Sequence, residues 1–299
     1  MSLTFSEGLL NYRHEVSFMK KILLAWVLLC SSTSLALPRI SLKLTGGMTY
    51  FFDNDYIKGI RGLYDYYLDS YAGVTGKFKP PRLGLDFGGE IAFSIRENLA
   101  IGFGASHLRC SRESEFGYQL PYFSSRDSLK PDIRLIPLTV NLHYYVPAGP
   151  RLKADWFIGA GYYMMKFDHD WSVATDFFSY HSDQTFHSDK SNIGFQGGLG
   201  LEYEVSPQIA LVFQASGRFI RFSNLQGDLT EKIGSLNVSW EDETTNGYFW
   251  FYRRNEDNSA YAQVSFSETK PSENEYSAIR KGILDLSGIA AGIGLKISF

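Results

Sequence analysis

Apolar residues recur at every second position through eight stretches of this 299-residue chain. The first runs over about 39–52, with Ile40, Leu42, Leu44, Met48, Tyr50 and Phe52 on one parity. Similar alternation marks 82–96, 99–109, 134–146, 152–167, 193–205, 209–222 and 283–299. The last is the clearest: Ile289, Ala291, Ile293, Leu295, Ile297 and Phe299 alternate with small or polar residues up to the chain end. A period of two places one apolar and one polar face on a β-strand. The pattern predicts an all-β chain of antiparallel strands.

The connections alternate too. Arg96-Glu97-Asn98, Pro147-Ala148-Gly149-Pro150 and Ser206-Pro207-Gln208 read as short turns. The other four, about 53–81, 110–133, 168–192 and 223–282, read as long polar loops. Short turns at one end and long loops at the other describe a closed up-and-down transmembrane β-barrel, in which no edge strand is left unpaired. Eight strands are predicted, with both termini periplasmic. The segments Tyr248–Tyr252 and Tyr261–Phe266 look like a further hairpin around Asn255-Glu256-Asp257-Asn258. Ten strands is the alternative if that hairpin crosses the membrane.

Glycines fall mainly on the parity opposite the apolar residues, among them Gly47, Gly102, Gly159, Gly161, Gly198, Gly292 and Gly294. Removing Cβ from inward positions suits a narrow lumen filled by side chains. The same parity carries Lys43, Thr45, Asp86, Glu90, Thr139, Asn141, His143, Lys153, Asp155, Gln196, Glu202, Gln214 and Arg218. Inward charges must be paired, so an internal ion-pair core is expected. Glu90 and Arg218 fall at similar heights, with Gln196, Gln214 and Asn141 beside them.

The chain ends sharpen the compartment. Met19-Lys20-Lys21, the apolar run Ile22–Leu29 and the small-residue stretch ending Ser34-Leu35-Ala36 form the layout of a secretory signal peptide. Residues 1–36 are assigned to it, with Met19 as an alternative start, and 37–299 form the barrel domain. Cleavage then leaves Cys110 as one thiol without an intrachain partner. A net charge of −3 offers no electrostatic case for nucleic acid. Aromatic content is high at 16%, as interfacial girdles require.

Candidate chemistry is sparse. His181-Ser182 and His187-Ser188, with Asp183 and Asp189, suggest a metal or hydrolase site only weakly, because they fall in a polar loop. His143 near a carboxylate lacks a serine partner. No helix follows Gly197-Gly198-Leu199-Gly200, so it is not a dinucleotide loop. Asn237-Val238-Ser239 matches a glycosylation sequon by chance. The loops are rich in aromatics: Tyr56, Tyr64, Tyr66, Tyr67 and Tyr71 in the first, and Trp171, Phe177, Phe178 and Tyr180 in the third. These are expected to extend the strands and pack on one another. No catalytic, cofactor-binding or metal-binding residues are assigned.

The C-terminal strand ending in Phe299 resembles the closing signature of bacterial outer-membrane proteins. Ile136-Pro137-Leu138-Thr139-Val140-Asn141-Leu142-His143-Tyr144-Tyr145 and Gly159-Ala160-Gly161-Tyr162-Tyr163 are similar to strands of the small outer-membrane barrels of the OmpX, OmpA-barrel and OmpW types. The resemblance implies residence in the bacterial outer membrane among lipid and lipopolysaccharide. It also implies recognition by the barrel assembly machinery through the strand ending at Phe299. The expected role is non-enzymatic display of surface loops, structural or adhesion-type, toward an extracellular ligand not identified by the sequence. Passive transport of small apolar solutes is the alternative, with Phe51, Phe157, Tyr163 and Met165 as an apolar upper lumen. A lipid-modifying enzyme is a third reading.

Overall fold

The alternating stretches pair into a ring. In this computed structural model the described residues are 39–176, 180–235, 238–239, 243–256 and 259–299. The export segment, Phe177, Phe178, Asn237 of the sequon, and Asp257 and Asn258 of the hairpin turn lie outside them. In chain order the elements are β1 (Ile40–Phe51), α1 (Asp55–Ser70), β2 (Val74–Lys77), β3 (Leu83–Arg96), β4 (Leu99–Ser111) and β5 (Ser114–Leu120). Next come β6 (Phe123–Pro147), β7 (Leu152–Thr175), β8 (Tyr180–Ser206), β9 (Ile209–Phe219) and β10 (Arg221–Ser223). The chain continues with β11 (Gln226–Ser235), β12 (Val238–Ser239), β13 (Glu243–Glu256) and β14 (Ser259–Ser267). It closes with β15 (Tyr276–Lys281), β16 (Ile283–Asp285) and β17 (Gly288–Ser298).

Strands β1, β3, β4, β6, β7, β8, β9 and β17 follow one another, every pair antiparallel. β17 then returns to β1, with Ser41 opposite Ser298 and Phe51 opposite Gly288, and closes the ring. The closing register puts Leu42, Leu44, Met48 and Tyr50 on the outer face beside Ile297, Leu295, Ala291 and Ile289. Such side chains stay exposed all round the ring: Ile158 is 68% exposed, Ile193 66% and Phe195 63%. Water would not tolerate so broad an apolar surface on a monomer. On β6 the exposed apolar run extends from Ile136 to Val146. Ten residue steps at strand rise and barrel tilt give a band about 25 Å tall. Among the described residues no helix is long and apolar enough to cross a membrane, which says nothing of strands.

Above this band the expected long loops are replaced by ordered structure. β6, β7 and β8 continue well past the band, and β7 pairs with β8 without interruption from Leu152–Tyr203 to Thr175–Tyr180. Segments 110–133 and 168–192 are therefore mostly strand: most of their charges sit on the outer parity, while Cys110, Leu129, Ile133 and Phe186 fill the inner one together with Asp127. The hairpin of β13 and β14 forms, but β13 pairs with β11 and β15 and lies outside the ring.

The first connection contains a helix that the alternation did not predict. Asn54 caps α1 by accepting a hydrogen bond from Ile57 N at 3.0 Å. Tyr56, Ile57 and Ile60 form its buried face. The helix lies close on β14: a Cβ on Gly62 would overlap the Ala262 carbonyl. Asp55 holds it down by accepting from Arg280 and from Ile283 N at 2.8 Å. Together α1, β13, β14 and the inner faces of the extended strands enclose one core that includes Tyr56, Phe167, Phe186, Phe249 and Phe266.

Candidate functional sites in the lumen and the head

Two regions gather buried polar side chains. The first lies inside the ring at the height of the apolar band. Inward parity on β1, β3, β6 and β7 brings Lys43, Glu90, Asn141, His143 and Asp155 together. Lys43 Nζ is 3.1 Å from Glu90 and 3.7 Å from Asp155. His143 lies between the two carboxylates, with Nε2 3.0 Å from Glu90 and Nδ1 2.9 Å from Asp155. Asn141 donates to Glu90 at 2.5 Å and accepts from Gln196 at 2.9 Å. Two further pairs belong to the same lumen. Arg218 donates to Asp86 at 3.0 Å and lies over the Tyr163 ring. Lys296 reaches Glu202 at 2.8 Å and lies over Tyr145.

The ion-pair core is present, with different partners from those expected. Glu90 pairs with Lys43 and His143, and Arg218 with Asp86. Height alone did not decide between neighbours, because the stagger of the strands sets which inward residues meet. Gln196 and Asn141 flank Glu90 as expected, and Gln214 lines the same cavity. Lys153 does not belong to the core: it is exposed at the ring's lower rim and pairs with Glu204. No serine among the described residues hydrogen-bonds His143. The space left between these side chains is a cavity of about 110 Å³. Inward glycines make this packing fit. A Cβ on Gly102 would lie 2.6 Å from Glu90 Cδ, and one on Gly159 would overlap the Asn141 side-chain oxygen.

The second region is the head above the band. His169 on β7 is fully buried, with Nδ1 3.3 Å from the Tyr56 hydroxyl and the Phe266 ring 4.7 Å away. Its Nε2 has no hydrogen-bond partner. Burial alone pushes the imidazole down to about 3. Nearby, buried Asp127 accepts from Tyr67 at 3.0 Å and from Trp171 Nε1 at 2.9 Å. Burial raises its carboxyl above the ordinary value, against those two hydrogen bonds. Neither group stood out in the sequence. The signal was the helical spacing of Tyr56, Ile57, Ile60 and Tyr64, obscured by glycines and by the strand alternation on both sides.

The histidine–serine pairs lie on β8. Outward His187 bonds Asp168 and lies 3.5 Å from Asp189, whereas Ser188 points inward and donates to Gln226 O at 2.8 Å. The two side chains therefore face opposite sides of the strand. His181 pairs with Asp183 at 2.7 Å. Among the described residues no group of His, Cys, Asp or Glu is arranged to hold a metal ion. The inward apolar residues Phe51, Phe157, Tyr163 and Met165 are all buried by packing.

The family described as "Outer membrane protein beta-barrel domain" matches residues 22–241. No curated protein matches the chain. Among solved structures, the outer membrane protein OprG from Pseudomonas aeruginosa is similar at 11% identity and TM-score 0.34, over 88% of this chain and 96% of that one. A major outer membrane protein from Thermus thermophilus gives 11% identity and TM-score 0.35, over 88% and 100%. The outer membrane protease OmpT from Escherichia coli gives 12% and 0.29, over 90% and 99%. At such scores these likenesses carry nothing about chemistry.

Proposed function

The chain belongs to the family of outer-membrane β-barrel proteins, and from that premise we propose that it is a non-enzymatic, sealed eight-stranded barrel that displays a folded head at the cell surface. The observation that carries this reading is the continuity of one aromatic core from the ring's upper mouth into the head. The segments expected as loops form a single ordered surface domain. The short turns and both termini then face the periplasm, as an even strand number requires. Below the head, the network around Glu90 and His143 crosses the lumen and leaves only the cavity of about 110 Å³ between its side chains.

A rigid head suits a structural or adhesion-type role, because an ordered surface loses little conformational entropy on binding. The strand ending at Phe299 serves as the recognition element for barrel assembly. Passage of small apolar solutes needs an open apolar path, and Phe51, Phe157, Tyr163 and Met165 occupy that volume. A lipid-directed enzyme needs a catalytic pair facing the bilayer, and the outer face of the band is apolar.

The test is reconstitution of purified protein into planar bilayers and into liposomes offered a small apolar solute. Neither conductance nor uptake above protein-free controls is expected. Stepwise currents, or uptake that depends on the protein, overturn the sealed-barrel reading. Cells expressing the protein should also bind a host or abiotic surface more than cells lacking it.

A further inference from the structure

One row of outward side chains lies just above the apolar band. Arg109 on β4 pairs across the sheet with Arg134 on β6, and Arg134 pairs with Lys166 on β7. Two residues nearer the turns on β6 comes Ile136, 39% exposed, and below it the band continues through Leu138, Tyr162 and Ile193. The row therefore sits about 5 Å above the first apolar side chain, at the height of lipid headgroups.

Its charges are arranged, not scattered. Asp132, two residues further from the band on β6 and largely buried, accepts from both arginines. Arg109 donates to it through Nε and Nη2 at 2.9 Å, and Arg134 through Nε at 3.0 Å and Nη2 at 2.7 Å. One carboxylate thus orients two guanidinium groups and leaves the trio one positive charge. Nη1 of each arginine keeps its donors without a hydrogen-bond partner among the described residues, on side chains 58% and 42% exposed. Two further carboxylates face the same cations beside His187, so Arg109, Arg134 and Lys166 stand among three carboxylates. Asp168 is bonded to His187 and lies 3.7 Å from Arg134, and Asp189 lies 3.6 Å from Lys166. Elsewhere at this height Arg221 is matched one-to-one by Asp285.

We propose that Arg109 and Arg134, set side by side on Asp132 with Lys166 next to them, bind the phosphate of an outer-leaflet phosphoglycolipid. Two forked guanidinium groups suit a phosphate better than two ammonium groups would. The apolar band directly below argues for a lipid over free phosphate, because the acyl chains of the same molecule would lie on Ile136 and Tyr162. The inference rests on the outer-membrane location and on the head lying in the outer leaflet. It needs neither the sealed lumen nor an adhesion role.

The test uses the whole folded protein in zwitterionic micelles, titrated with bis-phosphorylated lipid A and with the same lipid dephosphorylated. The phosphorylated form is expected to bind about twenty-five-fold more tightly, at about five-fold for each of two interfacial cations. Arg109→Gln/Arg134→Gln should abolish the difference, Lys166→Gln should reduce it, and Arg221→Gln should leave it. Millimolar inorganic phosphate should not compete. If the double variant does not fold, judged by heat-modifiable gel mobility, Lys166→Gln decides. Equal binding of the two lipids by the native protein overturns the proposal. So does a preference unchanged in the decisive variant, an equal loss in Arg221→Gln, or full competition by inorganic phosphate. Failure of the outer-leaflet placement would appear separately, as a head inaccessible to protease on intact cells.

Discussion

Acidification should loosen the head through His169. The imidazole is fully buried among Tyr56, Phe167, Trp171 and Phe266, and its Nε2 has no acceptor for a second proton. Burial holds it at about 3, against an ordinary value of about 6.5 in the unfolded chain. A group depressed on folding contributes stability that is complete above the unfolded value and is lost as pH falls toward the folded one. The full gap corresponds to about 4–5 kcal/mol, of which about 2 kcal/mol is lost between pH 7 and pH 5. Asp127 works in the opposite sense: its raised carboxyl adds stability at low pH that is lost as pH rises. His187, raised by its bond to Asp168, acts in that same sense. His169→Phe removes only the first contribution and keeps an aromatic ring in place, at a cost of about 1–2 kcal/mol for the stranded Tyr56 hydroxyl. The assay is urea unfolding of the head in micelles at pH 7 and pH 5, followed by tryptophan fluorescence from Trp171 and Trp250. The native protein should lose about 2 kcal/mol more than the variant over that interval. Parallel pH slopes in the two proteins would refute the reasoning.

Four further outcomes follow from local packing. Lys296→Met leaves Glu202 buried without its cation and should destabilise the barrel by about 3–5 kcal/mol in urea titrations; Lys296→Met/Glu202→Met should recover most of the loss, and no recovery would deny the pairing. Gly159→Ala places a Cβ into Asn141 and should lower the heat-modifiable fraction on gels, with a penalty of about 1–3 kcal/mol. Gly217→Ala should be silent, because nothing lies within 4 Å of its added Cβ. The Cys110 thiol is buried and pushed up to about 12, so about one part in ten thousand is thiolate at pH 8. Maleimide should label it only after unfolding, and stoichiometric labelling of the folded protein would contradict that burial.

The ring was legible from sequence because its outer face meets lipid and its inner face meets side chains, so period two is enforced at every position. The alternation located each of the eight ring strands, the short turns between them and the inward glycines. It also marked Glu90, His143, Asp155 and Arg218 as inward charges. It did not identify their partners, since Lys43 meets Glu90, and Asp86 meets Arg218, through the stagger between strands and across the lumen. Above the band the rule lapses. Water outside and an aromatic core inside accept charged outer residues beside buried ones, so β6, β7 and β8 read as polar loops where they continue as strands. Helix α1 was hidden for the same reason: its apolar face is completed only by β14 and Phe167, both distant in the chain. The sequence by itself determined where the protein lives and how its sheet closes, because bilayer and lumen constrain each residue locally. Only the tertiary structure decided which charges pair, that the outer segments form one head, and that Arg109 and Arg134 share Asp132, because each depends on strands remote in sequence arriving side by side.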